Sequence, residues 1–378
     1  MGRAAAGIAV VAALAIAGCG HGTSTPPVVA FSPSPPPGNN GAPSPAPTFN
    51  PAAVSIAEIP IPQPSPAGNG PADPDVLDVG KDGSVYFGQL NAGFSGFGNF
   101  GIFRYNGGTF TQTLPAPQPN AWVGGVNAID AHDSSTVMWS SSYQQMNEPF
   151  SFGDMMQCGA NGGTATLCSF AAFDGFTTSI VTAKDGTVWT AGSQCCGAGP
   201  GGYPAQLPAP LPANAFALDV TNGPGGNVWG VVNFNGPIYE FTSSGAIMNT
   251  YPLPAGNNLV GNHVLVEGPD GALWFTDAGN NAIARLSSTG QISEYKVPTP
   301  NSGLQSITLA ADGGMWFTES SGNKVGRIDA TGKIYEFAIP TANAQPTAIA
   351  AVPPGCSCKT SQVWFTETTA DKIASVSY

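Results

Sequence analysis

An imidazole close to carboxylates can take up and return protons near neutral pH, because a histidine pKa is easily tuned into that range. The chain has only three histidines in 378 residues to supply one. His21 lies in a Pro/Ser-rich leader, and His132 stands beside Asp133 in an irregular stretch. His263 follows Gly261-Asn262 just ahead of an apolar run. Carboxylates recur downstream at one fixed place: Asp277, Glu319 and Glu367 each end a Trp-Phe-Thr-Asp/Glu stretch. His263 with these acids is the candidate for general acid–base work. Two readings stay open for each. His263 can instead hydrogen-bond a neighbouring loop, and repeated carboxylates can instead accept loop N–H bonds or pair with Arg285 and Arg327.

What positions them is a repeat. Leu273-Trp274-Phe275-Thr276-Asp277 returns as Met315-Trp316-Phe317-Thr318-Glu319 and as Val363-Trp364-Phe365-Thr366-Glu367. Aligned on the aromatic, the series runs Tyr86, Trp139, Trp189, Trp229, Trp274, Trp316 and Trp364. Units of this length made of short strands are the pattern of a β-propeller. The sixth unit is the clearest. It reads as an inner strand Ser306–Ala310, an Asp312-Gly313-Gly314 turn, Met315–Glu319, Lys324–Asp329, a Thr331-Gly332 turn, and Lys333–Ile339. Asp-Gly and Gly-Gly between alternating runs are strong hairpin signals. Units one, four, five and seven follow the same plan. The second and third are degenerate, with an insertion around Tyr143–Leu167 and a Pro/Gly-rich stretch around Gly197–Pro212. The aromatic series reads as packing between units.

The seventh unit ends at its third strand, Ser375-Val376-Ser377-Tyr378. The missing fourth is at the other end, where Val54–Pro60 resembles Gln291–Pro298. The expected fold is therefore all-β, a seven-bladed β-propeller over residues 53–378, closed by an N-terminal strand that removes the exposed edge. Eleven residues before each aromatic falls the position expected to line the axial funnel: Asp75, Ala128, Thr178, Leu218, His263 and Gln305, with about Thr347 in the seventh. Asp75, Gln305, Glu319 and Glu367 are the expected ligand-binding residues of that funnel.

Residues 1–18 carry Arg3 and then an apolar run, too short for a permanent span, and read as a lipoprotein signal peptide. Ile16-Ala17-Gly18-Cys19 resembles the bacterial lipobox, which makes Cys19 the expected lipidation site and membrane lipid a partner. Residues 19–52 read as a lipidated Cys and a Pro-rich disordered linker, reaching up to roughly 90 Å. The expected location is the bacterial cell envelope, outside the cytoplasm, in the periplasm or at the cell surface. A net charge of −12 without a basic cluster argues against nucleic-acid binding. The chain is expected to act as a monomer, meeting a small molecule or protein at the propeller face. Outside the cytoplasm, Cys158, Cys168, Cys195, Cys196, Cys356 and Cys358 are expected as disulfides of open pairing. No histidine lies near them to suggest zinc. No Gly-x-Ser-x-Gly, Walker loop or His-Glu-x-x-His occurs.

The unit Gly-Pro-Asp-Gly-x-Leu-Trp-Phe-Thr, then Asn-x-Ile-x-Arg, then Gly-x-Ile-x-Glu-Tyr/Phe and a Pro spans Gly268–Pro298. It is echoed at Asp312–Pro340 and Val363–Ala374. It resembles the virginiamycin B (streptogramin) lyase family. The resemblance implies a seven-bladed propeller and an elimination that linearises type B streptogramins by breaking an ester C–O bond with Mg²⁺. It implies that His263 is the base and Asp277 its supporting carboxylate. It also implies metal ligands that the sequence lacks: Gly261 stands two residues before His263, where the family's Glu-x-His context has its Glu, and Leu218 stands where a second histidine is expected. The alternative is a non-catalytic propeller that binds a ligand or partner through its funnel face.

Overall fold

A computed structural model describes residues 49–62, 74–89, 102–113, 121–133, 136–145, 152–159, 166–167, 176–185, 188–193, 217–242, 245–261, 263–353, 356 and 362–378. The signal segment, Cys19, the linker up to residue 48 and the Pro/Gly-rich stretch of the third unit lie outside them. The described chain is mostly β, with three short 3-10 helices. No described helix is long and apolar enough to cross a membrane.

The strands form seven antiparallel sheets in chain order. The first runs from inner strand Pro74–Val79 to Thr109–Thr113, the second from Ala121–Asp133 to Thr166–Leu167. The third has two described strands, Phe176–Thr182 and Val188–Ser193. The fourth runs from Ala217–Asn222 to Ile247–Tyr251, the fifth from Leu265–Glu267 to Ile292–Lys296, and the sixth from Leu304–Leu309 to Ile334–Ala338. The seventh joins Pro346–Ala351, Gln362–Glu367 and Lys372–Ser377 to the N-terminal strand Ser55–Pro60. That strand pairs antiparallel with Lys372–Ser377, Ser55 opposite Ser377 and Pro60 opposite Lys372. In the second unit, the stretch read as an insertion carries two strands, Phe152–Gly159 and Thr166–Leu167.

Residue chemistry explains why the repeat folds this way. Three hairpin acids accept bonds from their own turns and pair with an arginine on the third strand of their sheet. Asp82 meets Arg104 at 2.7 Å, Asp270 meets Arg285, and Asp312 meets Arg327 at 2.7 Å. Arg285 and Arg327 therefore serve the hairpins, not the acids after Trp-Phe-Thr. The asparagines after those acids adopt left-handed backbone, φ 50° at Asn281 and 52° at Asn323, a conformation Asn tolerates better than most residues. Their side-chain amides donate to Thr299 and Thr341 carbonyls at 2.9 Å and so pin the segment entering the next sheet.

The aromatic series fills the spaces between these elements. Trp229 stacks on Tyr251, Trp274 on Tyr295 and Trp316 on Phe337, with centroids 5.4, 5.6 and 5.6 Å apart. Trp189, Trp274 and Trp316 are fully buried, and such aromatics contribute heavily to a core. Ahead of the N-terminal strand, Phe49 lies edge-on to Trp316 and under the Arg327 guanidinium, 3.8 Å from its ring centroid.

Candidate functional site

The inner strands carry the candidate site at a repeated irregularity. Pairing with the second strand slips in six of the seven sheets. The slips fall between Pro74 and Val76, Val126 and Ala128, Thr177 and Ser179, Ala217 and Asp219, Leu304 and Ile307, and Pro346 and Ile349. The slipped residues include Asp75, Thr178, Leu218, Gln305 and Thr347, positions that sequence spacing selects. In the second sheet, which also slips between Val123 and Val126 and between Asp130 and Asp133, the matching slip falls on Asn127, one residue before Ala128. Bulges re-aim side chains and are common beside functional sites.

The fifth sheet achieves the same break differently. His263 stands just before Leu265–Glu267 with φ 53°, and Gly261 has φ 113°. The loop is held against the sixth sheet, where Ile307 N–H donates to the His263 carbonyl at 3.0 Å. A Cβ on Gly261 would lie 2.3 Å from the Gln305 carbonyl oxygen. Gly261→Ala should therefore force the loop off the sixth sheet and cost about 1–3 kcal/mol. Thermal melting reads this loss, and an unchanged midpoint would contradict the close approach.

Three inner-strand carboxylates that the sequence reading passed over complete the cluster. Asp78 accepts from Ala131 N–H at 2.7 Å, Asp130 from the Thr182 hydroxyl at 2.6 Å, and Asp219 from Leu265 N–H at 3.0 Å. Each ties its strand to the inner strand of the next sheet. Burial pushes Asp78 up to about 6, helped by the charge of Asp130 and opposed by His263. Burial also raises Asp219, against the lowering effect of His263. Asp219 is fully buried, and its second oxygen has no hydrogen-bond donor. One imidazole thus acts electrostatically on carboxylates of the first and fourth sheets. The overlooked signal was Leu77-Asp78-Val79, Ile129-Asp130-Ala131 and Leu218-Asp219-Val220, one acid breaking the apolar run of each inner strand.

The acids after Trp-Phe-Thr sit elsewhere. Asp277, Glu319 and Glu367 are each 0% exposed, so none of them presents a carboxylate to an open funnel. Asp277 accepts from Asn257 Nδ2 at 2.6 Å, Asn258 N–H at 3.1 Å, Asn280 N–H at 3.1 Å and Asn280 Nδ2 at 2.9 Å. Its oxygens are committed to holding two loops. Burial, with Glu336 beside it, pushes Glu319 up to about 8, and burial, with Glu58 beside it, pushes Glu367 up to about 7. Of the other expected funnel residues, Asp75 and Gln305 are half-buried. Cys356 is disulfide-bonded.

The Mg²⁺ implied by the family pattern does not fit the described residues. Leu218, where that pattern calls for a histidine, is buried in an apolar cluster with Trp229, Val231 and Leu265. Among the described residues, no group of three or more His, Cys, Asp or Glu could hold a metal ion.

Comparison with known proteins agrees with this architecture. The chain is similar to a catalytically inactive His→Ala variant of virginiamycin B lyase from Staphylococcus aureus, crystallised with quinupristin. The two are 22% identical with a TM-score of 0.62, over 86% of this chain and 99% of that one. A streptogramin B lyase structure is 25% identical with a TM-score of 0.62, covering 85% of this chain and 97% of the other. Kuenenia stuttgartiensis hydrazine synthase, 10% identical with a TM-score of 0.53 over 84% of this chain and 99% of that one, shares the fold alone. No curated protein matches the chain. These lyases are β-propellers, and the described sheets have the same architecture. The virginiamycin B lyase family model matches residues 153–378, more than half of the sequence. On that match, with the Trp-Phe-Thr repeat and the sheets it builds, the chain belongs to the virginiamycin B lyase family.

Proposed function

We propose that the chain is a lipid-tethered, extracytoplasmic C–O lyase, built as a seven-bladed ring that Ser55–Pro60 closes, with His263 as its base. Seven successive sheets support the blade count. The closure draws support from a side-chain network that occurs twice. In the sixth sheet Lys324 bonds Glu336 at 2.8 Å, and Glu336 accepts from Thr299 N–H at 2.8 Å. In the seventh, Lys372 bonds Glu58 at 2.8 Å, and Glu58 accepts from Thr341 N–H at 2.8 Å. Glu58 of the N-terminal strand thus stands where Glu336 of an outer strand stands. The Thr368 hydroxyl also donates to the Pro74 carbonyl at 2.7 Å, linking the seventh sheet to the first. The lipidated Cys19, the spacer and the envelope location rest on the sequence of the leader.

For the chemistry, the observation that carries the proposal is the placing of His263, at φ 53° just ahead of the fifth inner strand and with its carbonyl bonded to Ile307 of the sixth at 3.0 Å. In this reading an imidazole nitrogen takes the proton from a carbon next to a carbonyl. The released electron pair forms a C=C bond, the ester C–O bond breaks, and the carboxylate leaves. Asp78 and Asp219 offset the positive charge that His263 gains, as fixed charges do in a water-poor site. The inactive His→Ala variant of the Staphylococcus aureus relative is consistent with a histidine in this role. Positioned bases contribute about 10²–10⁴-fold.

The test is incubation with a type B streptogramin and mass spectrometry for the linear product. Wild type should yield product, and His263→Ala should lower its rate by about 100-fold or more. No product from wild type would end the lyase reading. The second reading, a propeller that binds a ligand without turning it over, is favoured by Leu218, a core residue where the family pattern calls for a histidine. Binding of the streptogramin without product would support it.

A further inference from the structure

His263 stands in a left-handed turn, φ 53°, a conformation that persists only where the surrounding structure holds it. Three successive residues of this turn are held by three different sheets. The sixth sheet holds the His263 carbonyl, through Ile307 N–H at 3.0 Å and the Ser306 hydroxyl at 3.4 Å. The fifth holds the Val264 carbonyl, through Thr276 N–H at 3.1 Å. The fourth holds Leu265 N–H, through the Asp219 carboxylate at 3.0 Å.

Asp219 departs from the repeat at its own place. Ten residues before the aromatic, the third, fourth and sixth units have Ser179, Asp219 and Ser306, all fully buried. Ser179 donates its hydroxyl to the Val220 carbonyl of the fourth inner strand at 3.2 Å. Val220 and Leu265 are equivalent, nine residues before Trp229 and Trp274. The same link between neighbouring sheets is thus made with its polarity reversed. From the third sheet to the fourth a hydroxyl gives to a carbonyl, and from the fourth to the fifth a carboxylate receives an N–H. A carboxylate costs more to bury than a hydroxyl, but its oxygens lie one bond further from the backbone. The chain has the acid where the next sheet opens with the His263 turn.

We propose that Asp219 is the positioning residue of the candidate base: by holding Leu265 N–H it fixes the left-handed turn that aims the His263 imidazole at the substrate. The inference rests on the reading of His263 as the base. In this role Asp219 touches no reacting atom and acts through the backbone of residues 263–265. Losing the bond frees the turn from the fourth sheet. A displacement of about 1 Å in a reacting group is enough to lower a rate by about 10²-fold.

Hydrogen exchange at Leu265 N–H and steady-state kinetics with a type B streptogramin, both on the full chain, read the two halves of the proposal. Asp219→Ser puts in a residue that two other sheets already bury at this place, but one too short to reach Leu265. It should lower protection of that amide by about tenfold or more. It should also lower kcat by about 100-fold, with KM changed by less than about threefold. Asp219→Asn keeps an acceptor oxygen, so it should retain the protection and recover about tenfold in kcat over Asp219→Ser. Ser179→Ala, which removes the equivalent link one sheet earlier, should change neither. If Asp219→Ser does not fold, Asp219→Ala takes its place with the same expectations. Protection of Leu265 unchanged in Asp219→Ser, or lost equally in Asp219→Asn, overturns the hold. Protection lost with kcat unchanged overturns the positioning role and leaves His263 as the base. No product from the wild type ends the lyase reading, and exchange at Leu265 then decides by itself whether Asp219 holds the turn.

Discussion

Removing residues 53–60 should unfold the chain at a temperature lower by about 10 °C or more, with loss of a single cooperative transition. The N-terminal strand reaches the cores on both sides of the seventh sheet. Ile59 packs on the cluster that holds Trp364 of that sheet with Leu77 and Val79 of the first. Ile56 packs on the cluster that holds Trp316 of the sixth sheet with Phe365 and Val376 of the seventh. Each contributes up to about 1.5–3 kcal/mol by apolar burial. Deletion also leaves Lys372–Ser377 as an open edge and Lys372 without Glu58, with further costs from unpaired backbone groups. The summed loss is about 5 kcal/mol or more, which supports the temperature shift stated. Differential scanning calorimetry of the deletion variant measures it. An unchanged midpoint would mean that the strand merely lies along a sheet that is complete without it.

Asp277→Ala should cost about 3–5 kcal/mol of stability, a loss characteristic of scaffold. The carboxylate is fully buried and receives Asn257, Asn258 and Asn280, the last through both backbone and side chain. Alanine would strand these donors in a space closed to water. Bonds to a charged acceptor contribute about 1.5–3 kcal/mol each, so the estimate already discounts for relaxation of the loops. Urea unfolding gives the value directly. A loss under about 1 kcal/mol would mean that the loops hold without it, and would return Asp277 to the list of groups free to do chemistry.

The sequence made the scaffold legible because the scaffold is what it copies. Trp-Phe-Thr, the Asp-Gly hairpins and the following Asn each recur with one physical job. The sixth unit read from sequence agrees with the structure to within about two residues at every strand end, as expected for a strongly patterned segment. The partner of Lys372–Ser377 was readable from the likeness of Ser55-Ile56-Ala57-Glu58-Ile59 to the outer strand Ile292–Lys296. The second and third units were opaque because their sequences depart from the repeat around Tyr143–Leu167 and Gly197–Pro212.

The candidate site was only half legible. His263 stood out as the residue the repeat does not copy, but burial was invisible. Glu319 and Glu367 stood as funnel residues because nothing local marks them as buried. Asp78, Asp130 and Asp219 were hidden because single acids in apolar strands resemble ordinary alternation. Their role appears only when neighbouring sheets bring an N–H or hydroxyl to each.

On the proposed function, copied carboxylates hold the fold while uncopied His263 does chemistry at the inner strands. One assay separates these roles: the rate of linear-product formation from a type B streptogramin per folded molecule, for wild type, His263→Gln and Asp277→Asn side by side. A loss of about 100-fold or more is expected for His263→Gln and a change within a few-fold for Asp277→Asn. Full turnover in His263→Gln, or a collapse confined to Asp277→Asn, would contradict it.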